Sequence, residues 1–295
     1  MNQFKNSFLV IALSFFSVLA FAQTPDEIVD GYFEATGGRA AWSKVENMKM
    51  SAKVNQGGME IPLEIVQSKD GKSYTKVSFQ GMNIMQGVYD GETLWNTNFQ
   101  TMKAEKATTE DLENYKRTAG DFPDALFNYK KRGYQLEMVG KESFDGTEAH
   151  KLKLTKKPTM VEGKEVEDVE FYFFDTETMV LLGTESEMKS GQMKGKIAQS
   201  KFSEYQEVDG LYFPFSMTQG EKDGMSQAIT IDKVEFNVEM DTKSMQFPAE
   251  AMAPGEAPSS APTTAPVNTT TTKPAKKNPT TAPTNKATSK PSGNN

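Results

Sequence analysis

Few residues in this sequence could perform chemistry. It holds one histidine, His150, and no cysteine. His150 alternates with Leu152 and Leu154 in the segment EAHKLKL, which places it on the apolar side of a predicted strand, where core or rim positions outnumber catalytic bases. The sequence shows no histidine-rich metal-ligand spacing, no Gly-x-Ser-x-Gly motif and no phosphate-binding loop. We therefore predict that the protein is not an enzyme and needs neither a metal nor a cofactor.

Carboxylates are plentiful, but their positions favour a solvent-facing role. Glu60 and Glu64 fall on the polar side of one predicted strand, and Glu185 and Glu187 on the polar side of another. Solvated charge is the usual state of such pairs. Calcium loops of the Asp-x-Asp type are missing as well. These glutamates therefore predict solvent-exposed strand faces rather than a catalytic acid–base pair.

The apolar composition is the more informative feature, because 17 methionines and 19 phenylalanines occur beside only two tryptophans. Methionine is flexible and polarizable, and surfaces that accept varied apolar partners use it heavily. Several of these side chains could face one concavity as ligand contacts, or could equally be ordinary fillers of a core; they are Met48, Met50, Met59, Met82, Met85, Phe171, Phe173 and Met217.

Strands must position these residues, since the hydrophobic period from Glu46 onward is two. About eleven strand segments are predicted, with the last divided at its turn: 46–55, 59–68, 72–79, 82–89, 93–98, 134–142, 148–156, 167–175, 179–188, 195–206 and 211–239. Asp-Gly pairs, which favour tight hairpin turns, punctuate the chain at 70, 90, 145, 209 and 223. A long antiparallel meander follows from this spacing.

Helices are predicted at two places. TPDEIVDGYFEATGG has a Thr24 cap, Pro25 at the first helical position and Glu27 completing a capping box, and a further turn brings in Trp42. A central pair, residues 108–133, consists of one helix capped by Thr108 or Thr109 and a second after Pro123 that ends at Gly133. Because short amphipathic helices need a sheet to pack on, we expect this pair to cover a curled sheet.

The two ends of the chain differ from its body. Residues 1–22 have a basic residue, an apolar run and small residues at Ala20 and Ala22, the pattern of a signal peptide cut after Ala22. Residues 249–295 are rich in Pro, Thr, Ala and Lys, which predicts a disordered tail. The remaining domain, 23–248, carries a net charge of −11, because the two ends of the chain contribute +4 to the total of −7, and this acidity argues against nucleic acid as a partner.

Five segments resemble one family. They read YFEATGGRAAWSKVENMKM, GMEIPLEIVQ, YDGETLW, FSEYQEVDGLYFPFSM and ITIDKVEFNVEM, in this order across about residues 24–248. Together they are similar to the outer membrane lipoprotein-sorting proteins of the LolA/LolB superfamily, in the form common among Bacteroidetes. The lack of a lipobox cysteine resembles the soluble carrier of that family. The carrier's functional arginine has no match here, since Arg39, Arg117 and Arg132 are the only arginines and none lies in an early strand.

The resemblance implies a mainly β (α+β) fold: an unclosed antiparallel β-barrel of about eleven strands with an N-terminal helix and a central helical lid. It implies a periplasmic carrier that holds acyl chains of lipoproteins or other lipids in a hydrophobic cavity, with envelope membrane proteins as further candidate partners. The alternative is an envelope interaction or stress-sensing protein of the same fold that binds a protein and no lipid. The residues predicted to line the cavity are Met48, Met50, Ile61, Leu63, Ile65, Met82, Met85, Trp95, Phe122, Leu126, Phe171 and Phe173.

Overall fold

A computed structural model describes residues 23–248 of the chain, so the predicted signal peptide and the predicted tail lie outside the described residues. The described part is mainly β. Its helices are α1 (Pro25–Ala35), α2 (Arg39–Trp42), α3 (Thr109–Thr118) and α4 (Tyr129–Arg132), with a 3₁₀ turn at Gly191–Met193.

Antiparallel strands make up the rest of the fold. They are β1 (Asn47–Gln56), β2 (Met59–Ser68), β3 (Ser73–Phe79), β4 (Met82–Tyr89), β5 (Leu94–Thr97), β6 (Ala104–Lys106), β7 (Gln135–Phe144), β8 (Thr147–Thr155), β9 (Thr159–Val161), β10 (Lys164–Val166), β11 (Val169–Asp175), β12 (Leu181–Glu187), β13 (Ile197–Val208), β14 (Leu211–Glu221) and β15 (Ser226–Phe236). Thirteen of them form one open sheet in the order β6-β5-β4-β3-β2-β1-β15-β14-β13-β12-β11-β8-β7, and β9 and β10 form a separate hairpin.

Helix α1 begins as the sequence predicts. The hydroxyl of Thr24 accepts a hydrogen bond from the Glu27 amide at 3.2 Å, and the Glu27 carboxylate accepts one from the Thr24 amide at 2.7 Å. This capping box satisfies amide groups that would otherwise be unpaired at the helix start. The helix buries Ile28, Val29 and Phe33 against the sheet.

The sheet has two apolar faces, and the strand register separates them. The inner face carries the side chains that pack against the helices: Met50 of β1 lies opposite Ile65 of β2 and Val234 of β15. One cluster joins helix residues to strands as far apart in the sheet as β2 and β7. The sheet therefore curls around the helices, which confirms the predicted unclosed antiparallel fold with helices on its inner side.

Two smaller clusters lie on the outer face. In the first, Val66, Tyr74, Val88 and Trp95 are covered by the segment after β15, through Met245 and its neighbours. In the second, Phe144 stacks on Phe173 with ring centroids 4.3 Å apart. The fold thus buries apolar side chains on both sides of the sheet.

The structure departs from the sequence prediction in two respects. Strands β6, β9 and β10 were not predicted, because three-residue strands are too short to show an alternating pattern. The predicted second central helix is wrong over most of its length, since only Tyr129–Arg132 is helical. Asp124 accepts a hydrogen bond from the Leu126 amide at 2.7 Å, and this local turn competes with a helix.

No helix within residues 23–248 is long and apolar enough to cross a membrane.

Candidate functional site

The strands of the sheet terminate at two ends, and the inner face extends from one end to the other. At one, which we call the capped end, α1 and α2 adjoin the turn between β13 and β14: the Tyr212 amide donates to the Thr36 carbonyl at 3.1 Å. The other, the open end, carries the turns of the β1–β2, β3–β4, β5–β6, β9–β10 and β14–β15 hairpins. This assignment follows from the antiparallel register, which places the end of β1 beside the start of β15.

On strands β14 and β15, burial of the inner face falls from the capped end towards the open end. On β14 Leu211 is buried, while the next inward positions, Phe213, Phe215 and Met217, are only half-buried. On β15 Val234 is buried, whereas Ile229 is half-buried. On these two strands a strip of apolar side chains therefore stays partly uncovered towards the open end, whereas Ile61 of β2 and Ile84 of β4 are buried near that end.

Other half-buried apolar side chains extend this strip across the sheet. Phe202 of β13 lies opposite Met217, and Ile229 of β15 lies opposite Val54 of β1. Beyond β1 the strip continues through Leu63 and Ile65 of β2. The strip, defined as Leu63, Ile65, Phe202, Phe213, Phe215, Met217 and Ile229, is an inward surface that packing leaves partly accessible.

A cavity of about 260 Å³ lies between α3 and strands β2 and β3. Ile65 and Phe122 are among its lining residues, together with Tyr115 of α3. Tyr115 holds α3 over the sheet, because its hydroxyl donates to the Gly71 carbonyl at 2.9 Å and its ring packs 4.7 Å from that of Tyr89. Helix α3 thus lies over a space on the inner face, at one side of the apolar strip.

One carboxyl group lies among the helices that cover the inner face. Burial raises the pKa of Asp124 to about 6, although hydrogen bonds from the amides of Leu126 and Phe127 oppose the shift. Its Oδ2 also accepts a hydrogen bond from the Tyr32 hydroxyl at 3.4 Å. The charge of Glu170 on β11 raises the pKa further. Asp124 therefore changes its charge close to neutral pH.

Three of the four glutamates expected to be solvated have protein partners, although Glu60 stays exposed and contacts Lys53 at 3.8 Å. Glu185 is buried, and its carboxylate contacts Lys222 at 2.8 Å and Gln199 at 2.7 Å, so the expectation of solvated charge is wrong for it. Glu64 is half-buried and contacts Lys49 at 3.1 Å and Lys76 at 2.7 Å. Alternation identified the outer face correctly, but it could not show that neighbouring strands supply partners there.

A larger cavity, of about 580 Å³, lies on the outer face beside the β9–β10 hairpin. Val169 and Phe171 of β11 and Ile197 of β13 line it, and lysines and glutamates surround them. Lys151 sits 4.8 Å from the centre of the Phe171 ring. This cavity is on the opposite side of the sheet from the apolar strip.

The structure distributes the predicted site residues over separate places. The main inner cluster contains Met48, Met50, Leu63, Ile65, Phe122 and Leu126. Ile61 follows the same inner alternation on β2, and Met82 lies on the inner side of β4 at the β3–β4 turn, where it is exposed. Their binding of a ligand stays a prediction.

Four predicted site residues belong to the outer face instead. Trp95 and Met85 pack in the cluster beneath the segment after β15, where the Trp95 indole donates to the Met245 carbonyl at 2.8 Å. Phe171 and Phe173 pack in the other outer cluster. The expectation that all twelve residues share one cavity is therefore wrong, because the inward residues of β11 are Tyr172 and Phe174.

Several residues of the apolar strip were missed in the predicted site, namely Phe202, Phe213, Phe215 and Ile229. The signal was present, since LYFPFSM alternates Leu211, Phe213, Phe215 and Met217. The sequence does not show which of the two faces of β14 points inward. The strand register shows it, because β15 pairs with both β14 and β1.

His150 is buried, and both its burial and the charge of Lys141 lower its pKa. Within residues 23–248 the structure contains no group of three or more histidine, cysteine, aspartate or glutamate residues placed to hold a metal ion.

Comparison with known proteins gives similarity of fold alone. No family model matches the sequence, and no curated protein matches it. A solved DUF1329 family protein from Desulfovibrio piger is 15% identical, with a TM-score of 0.47, over 76% of this chain and 98% of its own. A LolA superfamily protein from Nitrosomonas europaea is 12% identical, with a TM-score of 0.45, over 78% of this chain and 99% of its own.

Proposed function

We propose that this protein is an exported, periplasmic carrier that binds acyl chains of lipoproteins or other lipids on the inner face of its sheet and performs no catalysis. The observation that carries the proposal is the run of Phe213, Phe215 and Met217 on β14, which points inward yet stays half-buried. A monomer gains free energy by burying such side chains, at about 25 cal/mol per Å² of apolar surface. A ligand chain that covers them would supply the missing burial.

Two further features support an apolar chain as the occupant. The strip crosses five adjacent strands in the order β13, β14, β15, β1 and β2. It is therefore elongated rather than a compact pocket. Met217 in the strip can adapt to varied chain shapes, because its side chain is unbranched and polarizable. The space beneath α3 would take the end of such a chain, with α3 as the lid.

The test is titration of the delipidated mature protein with a fluorescent fatty-acyl probe. We expect Phe215→Asp to weaken the probe at least about tenfold, equivalent to about 1.4 kcal/mol, while the fold survives because the site is half-buried. Thr218→Asp is the matched control, since Thr218 lies on the outer side of the same strand opposite Lys201. A wild-type protein that binds no probe after delipidation would refute the carrier proposal.

The outer cavity beside the β9–β10 hairpin favours a second candidate, an envelope interaction protein that binds a protein partner. An apolar floor of Phe171, Val169 and Ile197 within a ring of both charges suits a peptide segment. In this case a binding partner isolated by crosslinking in its native envelope would be lost in Ile197→Asp and retained in Phe215→Asp. The opposite pattern would favour the carrier.

A further inference from the structure

Exposed apolar side chains concentrate at the open end of the sheet. Eight large apolar side chains are exposed in residues 23–248, and two of them, Val139 and Tyr212, lie elsewhere. The other six belong to the open-end turns or the strand residues next to them: Met59, Met82, Phe99, Met102, Val166 and Met225. Such a one-sided distribution is not expected for the scattered apolar residues of an ordinary surface.

Two turns at the open end differ in composition from the hairpin turns at the capped end. Four turns at the capped end contain an Asp-Gly pair, at residues 70, 90, 145 and 209. At the open end the β1–β2 turn is Gly57-Gly58 and the β3–β4 turn is Gln80-Gly81, whereas the β14–β15 turn contains Asp223-Gly224; a methionine follows each of the three directly. Met59 is 54% exposed and Met82 is 45% exposed. Exposed methionines gathered at one end forgo the free energy of burial, about 25 cal/mol per Å² of apolar surface, unless a partner covers them.

Three of these methionines belong to hairpins that are neighbours in the sheet. Met82 follows the turn of β3–β4, Met59 that of β1–β2, and Met225, which is 73% exposed, precedes the first residue of β15. Met59 and Met82 also continue the inner alternation of Ile61 and Ile84. The exposed row is therefore continuous with the inner face.

Positive charge accompanies this row. The connection between β12 and β13, residues 188–196, also lies at the open end and reads MKSGQMKGK, with lysines at 189, 194 and 196 and no acidic residue. Lys196 pairs with Glu221, whereas Lys189 and Lys194 form no ion pair within residues 23–248 and lie at the outer cavity beside the β9–β10 hairpin, whose lining also includes glutamates. Exposed apolar side chains beside free lysines are the combination that binds a lipid surface containing anionic headgroups.

We propose that the open end docks on the surface of a bilayer that contains anionic lipid, with Met59, Met82 and Met225 in the interface and Lys189 and Lys194 near the headgroups. Charge complementarity selects this occupant, because the protein is acidic overall while this connection is basic. Docking in this orientation would present the inner face to the lipid. The membrane-docking proposal rests on the proposed function only in giving docking a purpose. Binding to a lipid surface does not itself require a bound acyl chain.

The experiment is flotation of the full mature chain with vesicles of mixed phosphatidylethanolamine and phosphatidylglycerol, compared with vesicles of phosphatidylcholine alone. We expect stronger flotation with the anionic vesicles, and a loss of that preference at about 0.5 M salt, where screening shortens electrostatic range to a few ångströms. Equal flotation with both vesicles, or none with either, would overturn the proposal.

Substitutions identify which residues contact the vesicle surface. Met59→Ser with Met82→Ser and Met225→Ser should weaken partitioning at least about tenfold at low salt, because three apolar contacts are lost. Val139→Ser with Tyr212→Ser is the matched control, since it removes exposed apolar side chains away from the open end. Lys189→Gln with Lys194→Gln should abolish the preference for anionic vesicles. If the control pair weakens flotation as much as the methionine triple does, the proposal fails.

Two further measurements separate other outcomes. Light scattering of the wild type and the methionine triple reports their mass; a dimer that becomes a monomer in the triple would mean that a second copy covers the row, and would overturn membrane docking. Acyl-probe affinity in solution should be similar in the wild type and the lysine pair. Failure of the carrier function would therefore appear as lost probe binding with flotation retained.

Discussion

Two carboxyl groups depart from their ordinary behaviour in opposite directions. Asp124 lies among the helices that cover the inner face, where burial dominates and raises its pKa to about 6. For Glu64, burial alone would raise the pKa, but hydrogen bonds from Lys76, Tyr74 and Lys49 outweigh it and lower the pKa to about 2. Ionised Asp124 therefore costs stability, whereas ionised Glu64 contributes it.

Asp124→Asn is predicted to stabilise the protein at pH 7.5 by roughly 1–2 kcal/mol, below the full value of a two-unit shift. The folded pKa lies above the ordinary 3.8, so wild-type stability falls as pH rises from about 4 through 6. Asparagine keeps an acceptor for the Leu126 amide. The advantage should vanish near pH 4, as measured by urea unfolding at several pH values. Asp209→Asn, in an exposed turn, is the matched control for the substitution itself.

Glu64→Gln is predicted to destabilise the protein at pH 7 by roughly 1–2 kcal/mol, because two lysines lose their shared anion. The folded pKa lies below the ordinary 4.5, so this contribution is complete above that pH and is lost as pH falls towards 2. Urea unfolding at pH 7, 5 and 3 should show the difference shrinking. An undiminished difference at pH 3 would contradict the ionic explanation. Exposed Glu187→Gln serves as the control.

At the scale of elements, the region between β6 and β7 is divided into two unlike parts. Helix α3 has no fully buried residue and is held by polar contacts, including those of Asn114 with the backbone of Met160 at 2.7 and 2.8 Å. The irregular segment that follows buries Phe122 and Leu126 in the main cluster, and Tyr129 at the start of α4 is buried there too. Only α3 therefore has the light packing expected of a movable lid.

Leu126→Asp is predicted to destabilise the protein by about 3–5 kcal/mol, because Leu126 is fully buried and an unpaired carboxylate there has no partner. Leu112→Asp, on half-buried α3, should cost roughly 1 kcal/mol. Thermal melts of both variants test the contrast. Hydrogen exchange should likewise be fast in α3 and slow at 122–129; equal protection would contradict the division into lid and core.

The elements also show what sequence can and cannot predict. The long alternating strands and the capping box of α1 were predictable, because two-residue periodicity and Thr24 with Glu27 act locally. The inward face of β11 was not, since Phe171, Tyr172, Phe173 and Phe174 are consecutive and leave no polar side to choose by. Its orientation depends on pairing with β8 and β12, which are distant in sequence.

The sheet has an inner and an outer face, and a capped and an open end. A residue belongs to the candidate site only if both its face and its position between the two ends place it there. Sequence identified inner positions on β1 and β2 correctly, because Met48, Met50 and Ile65 alternate with charged residues. It could not place Trp95, whose four-residue strand carries little pattern and whose cover comes from 150 residues further along the chain. Long-range packing of this kind decides the outer face as much as the inner one.

The segment after β15 covers Trp95 on the outer face of the sheet. Met245 is fully buried, and Phe247 meets the Trp95 ring edge-on at 6.0 Å. A chain ending after residue 250 keeps both residues, and we expect its melting temperature to match that of the full mature chain. A chain ending after residue 239 uncovers Trp95 and should lose about 3–5 kcal/mol of stability, given roughly 2 kcal/mol for each large apolar side chain re-exposed.

The emission of Trp95 separates this account from a role inside a ligand cavity. Its indole should shift to the red in the shorter chain, because it loses the Met245 carbonyl and becomes hydrated. The signal is isolated by subtracting the spectrum of the matching Trp95→Phe protein, since Trp42 lies apart in the main cluster. Acyl probe added to the full chain should leave the Trp95 spectrum unchanged, because the sheet separates this residue from the inner strip. A probe-dependent shift would place the ligand on the outer face, and the apolar strip would then need another occupant.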